Sequence, residues 1–207
     1  MKLVGTVATL LLLTGCGGRL VHETAAKPAL ADWKRVVTGD DLTRLRNWRV
    51  AFLKGLDEAA ASGQGAKIAR EGALLVPDSA LENVGLGSGR YHCRVIKLGS
   101  KVSGVATYTP YPAFDCLVND EGEVLSFAKI GGSQRPVGLM FDDGSDRKIF
   151  LGTMMYADES RALEYGRDPT RDMAGAVQRI GDKRWRIILP YPRFESVLDV
   201  VELTPAA

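Results

Sequence analysis

Histidine is scarce in this chain of 207 residues: there are two, with three cysteines. A Ser-His-Asp or Cys-His catalytic set needs a histidine as its base. His22 precedes every segment with regular apolar patterning, so such a set would depend on His92 alone. One histidine also cannot complete a four-ligand zinc site with two cysteines unless carboxylates help. We therefore assign no catalytic residue and no metal ligand from the sequence.

An excess of charge is missing as well. The chain has 27 Lys and Arg against 25 Asp and Glu, interspersed along its length, which gives no reason to expect a nucleic-acid partner. The segment 85–90 reads Gly-Leu-Gly-Ser-Gly-Arg. Leu86 stands where a nucleophile elbow has glycine, and Arg90 stands where the GxGxxG motif ends in glycine. We therefore expect no cofactor.

The sequence lacks an apolar run of the ~20 residues that a spanning helix requires. Lys2 and the apolar run 3–13 instead have the form of a secretory signal. Leu13-Thr14-Gly15-Cys16 then resembles the lipobox of bacterial lipoproteins, in which the cysteine is acylated and becomes the new N-terminus. The resemblance implies that residues 1–15 are a signal peptide and that lipid on Cys16 anchors the protein to a membrane.

Gly17 follows the candidate lipidation site, whereas inner-membrane retention in the enteric pattern uses Asp there. The resemblance therefore implies the outer membrane, with the protein facing the periplasm, rather than the inner membrane. Residues 16–31 mix small, polar and proline residues without a sustained period, which predicts a tether.

Cys93 and Cys116 remain as a pair once Cys16 is assigned to lipid. In two predicted strands, Cys93 shares a face with Tyr91 and Cys116 shares a face with Phe114. Both cysteines are thus expected to point inward from neighbouring strands. In an oxidising compartment this arrangement predicts a disulfide.

Residues 32–88 are predicted to form a helical segment packed on a sheet. Thr38-Gly39-Asp40-Asp41 has the spacing of a capping box, and apolar residues follow it at helical spacing. This pattern predicts a helix over 39–62 that carries Arg44 on its polar face. A second short helix is expected over 66–71.

Residues 89–207 change to short apolar runs separated by turn signals, which is typical of an antiparallel β domain. The fold class is therefore α+β, with an N-terminal helical segment followed by a lipocalin-like barrel or a sandwich. About eight strands are predicted, over 90–98, 114–119, 124–130, 136–141, 148–156, 175–180, 184–191 and 196–203.

Three loops offer candidate binding residues. The glycine-rich loop 131–136 has polar groups able to bind an anion or a peptide backbone, the long loop 157–174 is rich in charge, and the segment 189–196 places aromatic side chains between prolines. The candidates are Ser133, Gln134, Arg135, Arg167, Asp168, Tyr191, Arg193 and Phe194.

Several motifs resemble an uncharacterised family of α-proteobacterial exported proteins: Tyr-His-Cys-Arg at 91–94, Phe-Asp-Cys at 114–116, Gly-Ser-Gln-Arg-Pro at 132–136, Tyr-Gly-Arg-Asp at 165–168 and Arg-Trp-Arg-Ile-Ile-Leu-Pro-Tyr-Pro at 184–192. The likeness runs from residue 33 to the end and implies export, but it implies no activity. We expect a membrane-anchored, non-catalytic binding module in the periplasm, whose partner is an unknown protein or small ligand. The alternatives are a periplasmic protease or lysozyme inhibitor and a cell-envelope hydrolase.

Overall fold

A computed structural model describes residues 32–206, in which eight strands close into one barrel behind a short helical segment. Each strand pairs antiparallel with the next, and the last pairs with the first. The barrel alternative is thereby confirmed, and the sandwich is excluded. The strands are β1 (Gly89–Leu98), β2 (Tyr108–Asp120), β3 (Leu125–Lys129), β4 (Gln134–Asp142), β5 (Lys148–Tyr156), β6 (Asp172–Gly181), β7 (Arg184–Pro190) and β8 (Leu198–Pro205).

Strand β2 begins six residues earlier than the sequence pattern indicated, and the added residues include Pro110 and Pro112. A proline cannot donate a ladder hydrogen bond, so it argues against a strand in sequence reasoning. The structure accommodates this half of β2 because it pairs with β1 alone among the described strands, across a register shift between Arg94 and Ile96. A strand tolerates proline at a bulge, or where one of its edges has no partner strand, because the missing N–H would not be used there.

Alternation along the strands fills the barrel with apolar side chains. The interior cluster includes Tyr91, Cys93, Cys116, Val118, Phe127, Met140, Phe150, Val177, Trp185, Ile187, Val201 and Leu203. Two glycines, Gly138 and Gly152, face each other across β4 and β5. A Cβ atom at either position would lie 2.3 Å from a backbone carbonyl oxygen of the paired strand, so only glycine permits this close approach beneath Phe150.

The predicted disulfide lies inside the barrel. Cys93 and Cys116 are bonded in the structure, with their Cα atoms 5.8 Å apart. Cys93 pairs with Phe114 in the β1–β2 ladder and Cys116 pairs with Tyr91, so the two cysteines are diagonal neighbours on one inner face. The shared inward direction expected from the sequence is confirmed.

The helical segment contains α1 (Gly39–Arg46), α2 (Trp48–Ala59) and α3 (Gly65–Arg70). The single helix predicted over 39–62 is wrong, because the chain leaves helical geometry at Asn47, whose side-chain amide donates to the carbonyl of Thr43. The segment Ala60–Gln64 joins α2 to α3 through a kink at Gly63, whose φ of 83° is not helical. No helix within residues 32–206 is long and apolar enough to cross a membrane.

Thr38 caps α1 as predicted, its hydroxyl accepting from the Asp41 amide at 3.3 Å. The reciprocal half of a capping box is absent from this helix start, since the Thr38 amide donates instead to the Tyr165 hydroxyl at 3.1 Å. Asp41 also accepts from Tyr165 at 2.6 Å and pairs with Arg44. Arg44 is therefore buried, contrary to its predicted place on a solvent-facing side, and it donates to the carbonyl of Asp172 at the start of β6.

Two apolar layers join this segment to the outside of the barrel. One packs α2 and the 3-10 turn Gly72–Leu75 against β1, β7 and β8. The other packs the 3-10 turn Trp33–Arg35 and α1 against β4, β5 and β6. Both layers place this part of the chain against the sheet, although residues 76–88 form turns and irregular backbone rather than helix.

Arg186 fastens the segment to β7. Its side chain points outward from the strand, is fully buried, and donates to the carbonyls of Ala73, Leu74, Val76 and Pro77 at 2.6–3.2 Å. The Gln178 side chain accepts two more hydrogen bonds, at 3.0 and 2.8 Å. Burial lowers the pKa of Arg186 to about 10. The guanidinium is thus a polar clamp inside an otherwise apolar layer.

Candidate functional site

The two ends of the barrel differ. At one end, residues 82–88 cross the opening, and Val84 and Leu86 join the interior cluster. The indole Nε1 of Trp185 donates to the Val84 carbonyl at 2.5 Å, which fixes this cover. At the opposite end, here called the loop end, the chain makes the connections 99–107, 130–133, 157–171 and 191–197. A ligand can therefore approach the barrel interior from the loop end.

A cavity of about 250 Å³, here called the mouth pocket, opens at the loop end. One side of it is apolar and the other is polar. Its walls are Val95, Tyr111 and Phe114, with Gly132 and Ser133 at the rim and Lys97, Lys129, Gln134 and Glu195 supplying the charged and amide groups.

Strand alternation explains why the polar groups gather there. On β1 the inward positions run Tyr91, Cys93, Val95 and then Lys97; on β3 they end at Lys129. Each strand thus gives apolar side chains to the core and a lysine as its last inward residue. Both ammonium groups consequently approach Gln134, that of Lys97 at 3.3 Å from the side-chain oxygen and that of Lys129 at 3.1 Å from the carbonyl.

Lys97 is buried, with 7% of its surface exposed, and its Nζ lies 3.3 Å from the Gln134 Oε1 and 3.3 Å from a Glu195 carboxylate oxygen. Its ladder partner on β8 is Asp199, which is also buried and accepts from the Ser196 hydroxyl at 2.5 Å. Burial raises the pKa of Asp199, while Lys97 opposes that rise.

Lys129 is buried too, with 4% of its surface exposed. Its Nζ lies 3.6 Å from the Phe114 ring centroid and donates to the carbonyls of Gly131 and Gln134. Burial lowers the pKa of Lys129 to about 8, and the positive charge of Arg135 acts in the same direction. Within residues 32–206, no carboxylate forms an ion pair with this lysine.

The connection 191–197 closes one side of the mouth pocket. Two of its non-glycine residues adopt positive φ: 47° at Tyr191 and 29° at Glu195. Such backbone is strained in residues with a side chain and is stabilised only by its surroundings. Phe194, which is 37% exposed, contacts the Tyr156 ring edge-on, and the Lys101 amide donates to the Glu195 carbonyl at 2.6 Å. These contacts hold Glu195 above Lys97.

All eight candidate binding residues lie at the loop end, but they do not form one site. Ser133 and Gln134 line the mouth pocket, and Phe194 lies beside it. Arg135 points away and donates to the carbonyls of Tyr156 and Glu159, both at 2.6 Å, which ties the connection 157–171 to β4.

The other four candidates are occupied in local structure. Tyr191 packs on the layer under α2, and Arg193 donates to Asp40 at 2.8 Å. Arg167 pairs with Glu164 at 3.3 Å, and Asp168 accepts from the amide and hydroxyl of Thr170. These contacts shape the surface around the mouth pocket without entering it.

Sequence reasoning missed the charged residues that line the pocket, Lys97, Lys129 and Glu195, and also Asp199, the ladder partner of Lys97. A signal was present for three of them, because Lys97, Lys129 and Asp199 occupy inward positions of otherwise apolar strands. Glu195 gives no such signal, since only the folded connection 191–197 brings it over Lys97.

A second cavity, of about 520 Å³, lies outside the barrel between the start of the helical segment and β5. Trp33 and Trp48 line it, but Trp33 is buried in the adjoining core, as expected of a core aromatic. The Trp33 indole donates to Asp143 at 3.1 Å, and Arg147 donates to the same carboxylate at 2.7 Å. The Asp143 carboxylate in this cavity is thus already bound by Trp33 and Arg147, and we place the candidate site at the mouth pocket.

The acidic turn 142–146 and His92 form no further centre among the described residues. Asp142 pairs with Lys148, and Asp143 pairs with Arg147. His92 is largely exposed, and an Asp115 carboxylate oxygen lies 3.6 Å from its Nδ1. Within residues 32–206, no three His, Cys, Asp or Glu side chains are placed to hold a metal ion. Cys16 lies outside the described residues.

Comparison with curated proteins found no match, and comparison with solved structures found none either. Residues 33–203, which span the helical segment and nearly the whole barrel, match the family DUF4893, described as a domain of unknown function. That match covers most of the chain. The chain therefore belongs to the DUF4893 family.

Proposed function

We propose that this protein is an exported lipoprotein whose barrel binds a ligand in the mouth pocket without transforming it. The observation that carries the proposal is the pocket itself. Lys97, Lys129 and Gln134 project into it from three strands of a disulfide-linked barrel. Burying two lysines at the end of an apolar core costs stability, and a binding role gives a reason for that cost.

The export half of the proposal rests on the N-terminal sequence. A short apolar run followed by Leu-Thr-Gly-Cys supports lipidation of Cys16, and Gly17 supports an outer-membrane anchor facing the periplasm. The resemblance to exported α-proteobacterial proteins supports the same compartment. Residues 16–31 would then separate the lipid from the barrel.

Capture from an envelope extract tests the binding half. Ser133 is exposed at the rim of the pocket, so Ser133→Trp should fill the entrance. Ser145 is an exposed serine at the opposite end of the barrel, and Ser145→Trp is the matched control. Wild type, Ser133→Trp and Ser145→Trp would be incubated with an outer-membrane extract, and the bound molecules identified by mass spectrometry.

We expect wild type and Ser145→Trp to retain a component that Ser133→Trp loses. Equal retention by all three proteins would contradict binding at the mouth pocket. Turnover of peptidoglycan or peptides that depends on Glu195 or Asp199 would contradict a non-catalytic role and favour the envelope hydrolase.

The exposed ring of Phe194 favours one second candidate, a protease or lysozyme inhibitor. Rigid exposed aromatics beside strained backbone are typical contacts of protein partners. In that case the extract would yield a hydrolase that wild type inhibits and Phe194→Ala does not. Phe194 is not one of the residues that line the mouth pocket, so capture of a small ligand that Phe194→Ala retains, together with loss of inhibition, separates the two functions.

A further inference from the structure

We propose that the ligand of the mouth pocket carries a carboxylate, which binds between Lys97 and Lys129 after displacing the side chain of Glu195. This inference rests on the proposed binding function and names the chemistry of its ligand. In the free protein the Glu195 carboxylate would occupy the position beside Lys97, and in the complex the carboxylate of the ligand would replace it.

The first argument is the balance of charge. Two buried ammonium groups line the pocket, and one carboxylate, that of Glu195, lines it with them. The Glu195 carboxylate pairs with Lys97 and its side chain is 51% exposed, while the Lys129 Nζ lies among carbonyl oxygens and the Phe114 ring and pairs with no carboxylate within residues 32–206. A buried cation without a counter-ion is costly. The pocket thus lacks one negative charge, and a ligand anion would supply it.

Asp199 does not remove that shortage. It lies on the far side of Lys97 in the β1–β8 ladder, is buried, and is already bound by Ser196. Within residues 32–206 it forms no ion pair with either pocket lysine. Its carboxyl therefore moderates the charge of Lys97 and leaves Lys129 unpaired.

The second argument is that Glu195 already acts as a stand-in for the ligand. Its carboxylate rests 3.3 Å from Lys97, which shows that a carboxylate fits this position. Ion-pair hydrogen bonds are usually shorter, near 2.7–2.9 Å, so the contact has room to improve. The residue belongs to a connection rather than a strand and has a φ of 29°. Releasing it would let this strained backbone relax, which lowers the cost of displacement.

The third argument concerns the body of the ligand. Val95, Tyr111 and Phe114 form an apolar wall beside the two lysines. A cavity of about 250 Å³ is smaller than the ~300–1,000 Å³ of pockets that take drug-sized molecules. The pocket therefore suits a small apolar or aromatic carboxylate, supplied either as a free acid or as the C-terminal residue of a peptide.

Calorimetric titration of the full chain tests the inference with four probes. Phenylacetate and phenylacetamide have the same apolar body and differ in charge. The dipeptide Ala-Phe and its C-terminal amide make the same comparison for a peptide end. We expect phenylacetate or Ala-Phe to bind and the corresponding amide to bind at least about tenfold more weakly. Which of the two acids binds more tightly identifies the source of the carboxylate.

Three variants test the residues. Lys129→Met should weaken the bound acid at least about tenfold, because a charged hydrogen bond is lost. Lys67→Met removes an exposed lysine from α3 and should leave the affinity unchanged. Glu195→Gln should tighten binding several-fold, because the internal competitor loses its charge. Equal binding of acid and amide, or equal affinity of the two lysine variants, would overturn the inference.

A second measurement on wild type avoids any effect of the substitutions on folding. Acetic anhydride should acetylate Lys129, and a saturating acid probe should protect it, as followed by peptide mass spectrometry. Unchanged acetylation would count against a carboxylate beside Lys129. If extract capture finds an uncharged molecule that Ser133→Trp excludes, the proposed binding function stands and the carboxylate inference fails.

Discussion

Replacing Arg186 by methionine should cost this protein more stability than any exposed arginine can. The guanidinium connects β7 to the chain before β1 by donating to four backbone carbonyls and to Gln178. Methionine fills a similar space but donates nothing. The carbonyls of Leu74 and Pro77 would then lose the guanidinium donor, while those of Ala73 and Val76 would keep the Ser79 hydroxyl within hydrogen-bond distance.

The size of the effect follows from these partners. A buried polar group left unsatisfied costs about 1–3 kcal/mol. The carbonyls of Val76 and Pro77 lie at the edge of the layer, where water can replace the guanidinium, since Val76 is exposed. Leu74 is fully buried and its carbonyl has no such relief. Together these losses give about 3–5 kcal/mol, as is usual when one partner of a buried charged network is removed.

Urea unfolding followed by tryptophan fluorescence measures the change. Arg179→Met is the matched control, because Arg179 also donates to two backbone carbonyls but at an exposed site. It should lose about 1 kcal/mol or less. Arg186→Lys should recover part of the loss, since lysine has three donors and no planar fork. Similar losses for Arg186→Met and Arg179→Met would refute the view that Arg186 clamps the segment to the barrel.

Three further predictions concern the disulfide, the anchor and the pocket. Peptide mapping without reduction should find Cys93 bonded to Cys116, and two free thiols would contradict the disulfide. Replacing both cysteines by alanine should lower the free energy of unfolding in urea by about 3 kcal/mol, because the bond closes a loop between cysteines 23 residues apart. Cys16→Ser should abolish labelling of the protein by a metabolically supplied fatty acid. A chain shortened to begin at Ala31 should have the same urea midpoint of unfolding as the unlipidated mature protein. A lower midpoint for the shortened chain would show that the tether packs on the barrel. The affinity for a carboxylate should fall as the pH rises through about 8, because Lys129, whose pKa is lowered by burial, then loses its proton. The charged groups around Lys129 are Lys97, Arg135 and Glu195. Lys129→Arg should flatten the dependence of affinity on pH, and an equally steep fall in that variant would show that another group causes it.

The fold was largely predictable because it depends on alternation. Seven strands lie within a few residues of their expected positions, and the inward parity of Cys93 and Cys116 placed the disulfide correctly. Closure follows from the same pattern, since eight short strands in sequence leave no unpaired edge once the last meets the first. The early half of β2 was missed because its prolines argue locally against a strand, and only pairing with β1 overrides them.

The helical segment shows where local pattern fails. The apolar spacing continues across Asn47, so periodicity alone predicts one helix through that position. Whether the helix continues depends on the two separate layers of the barrel surface that α1 and α2 must cover. Arg44 was misplaced for the same reason. It would face water on an isolated helix, but here α1 lies against the start of β6, where Asp41 and the carbonyl of Asp172 accept from it.

The site was harder to predict than the fold because its chemistry lies at exceptions to the pattern. Loop composition pointed to the loop end of the barrel, where Ser133 and Gln134 line the mouth pocket. Loop composition did not reveal Lys97 and Lys129, because both lie in strands. Alternation places these lysines on the inner face of the barrel, where charged side chains are not expected. An inward lysine at the end of an apolar strand contradicts the alternation that builds the barrel, and this happens on two strands whose lysines line one cavity. Two such exceptions meeting in one cavity have no explanation in the stability of the fold, since each cation costs free energy to bury. Their coincidence is therefore the feature of this barrel that most directly indicates a function.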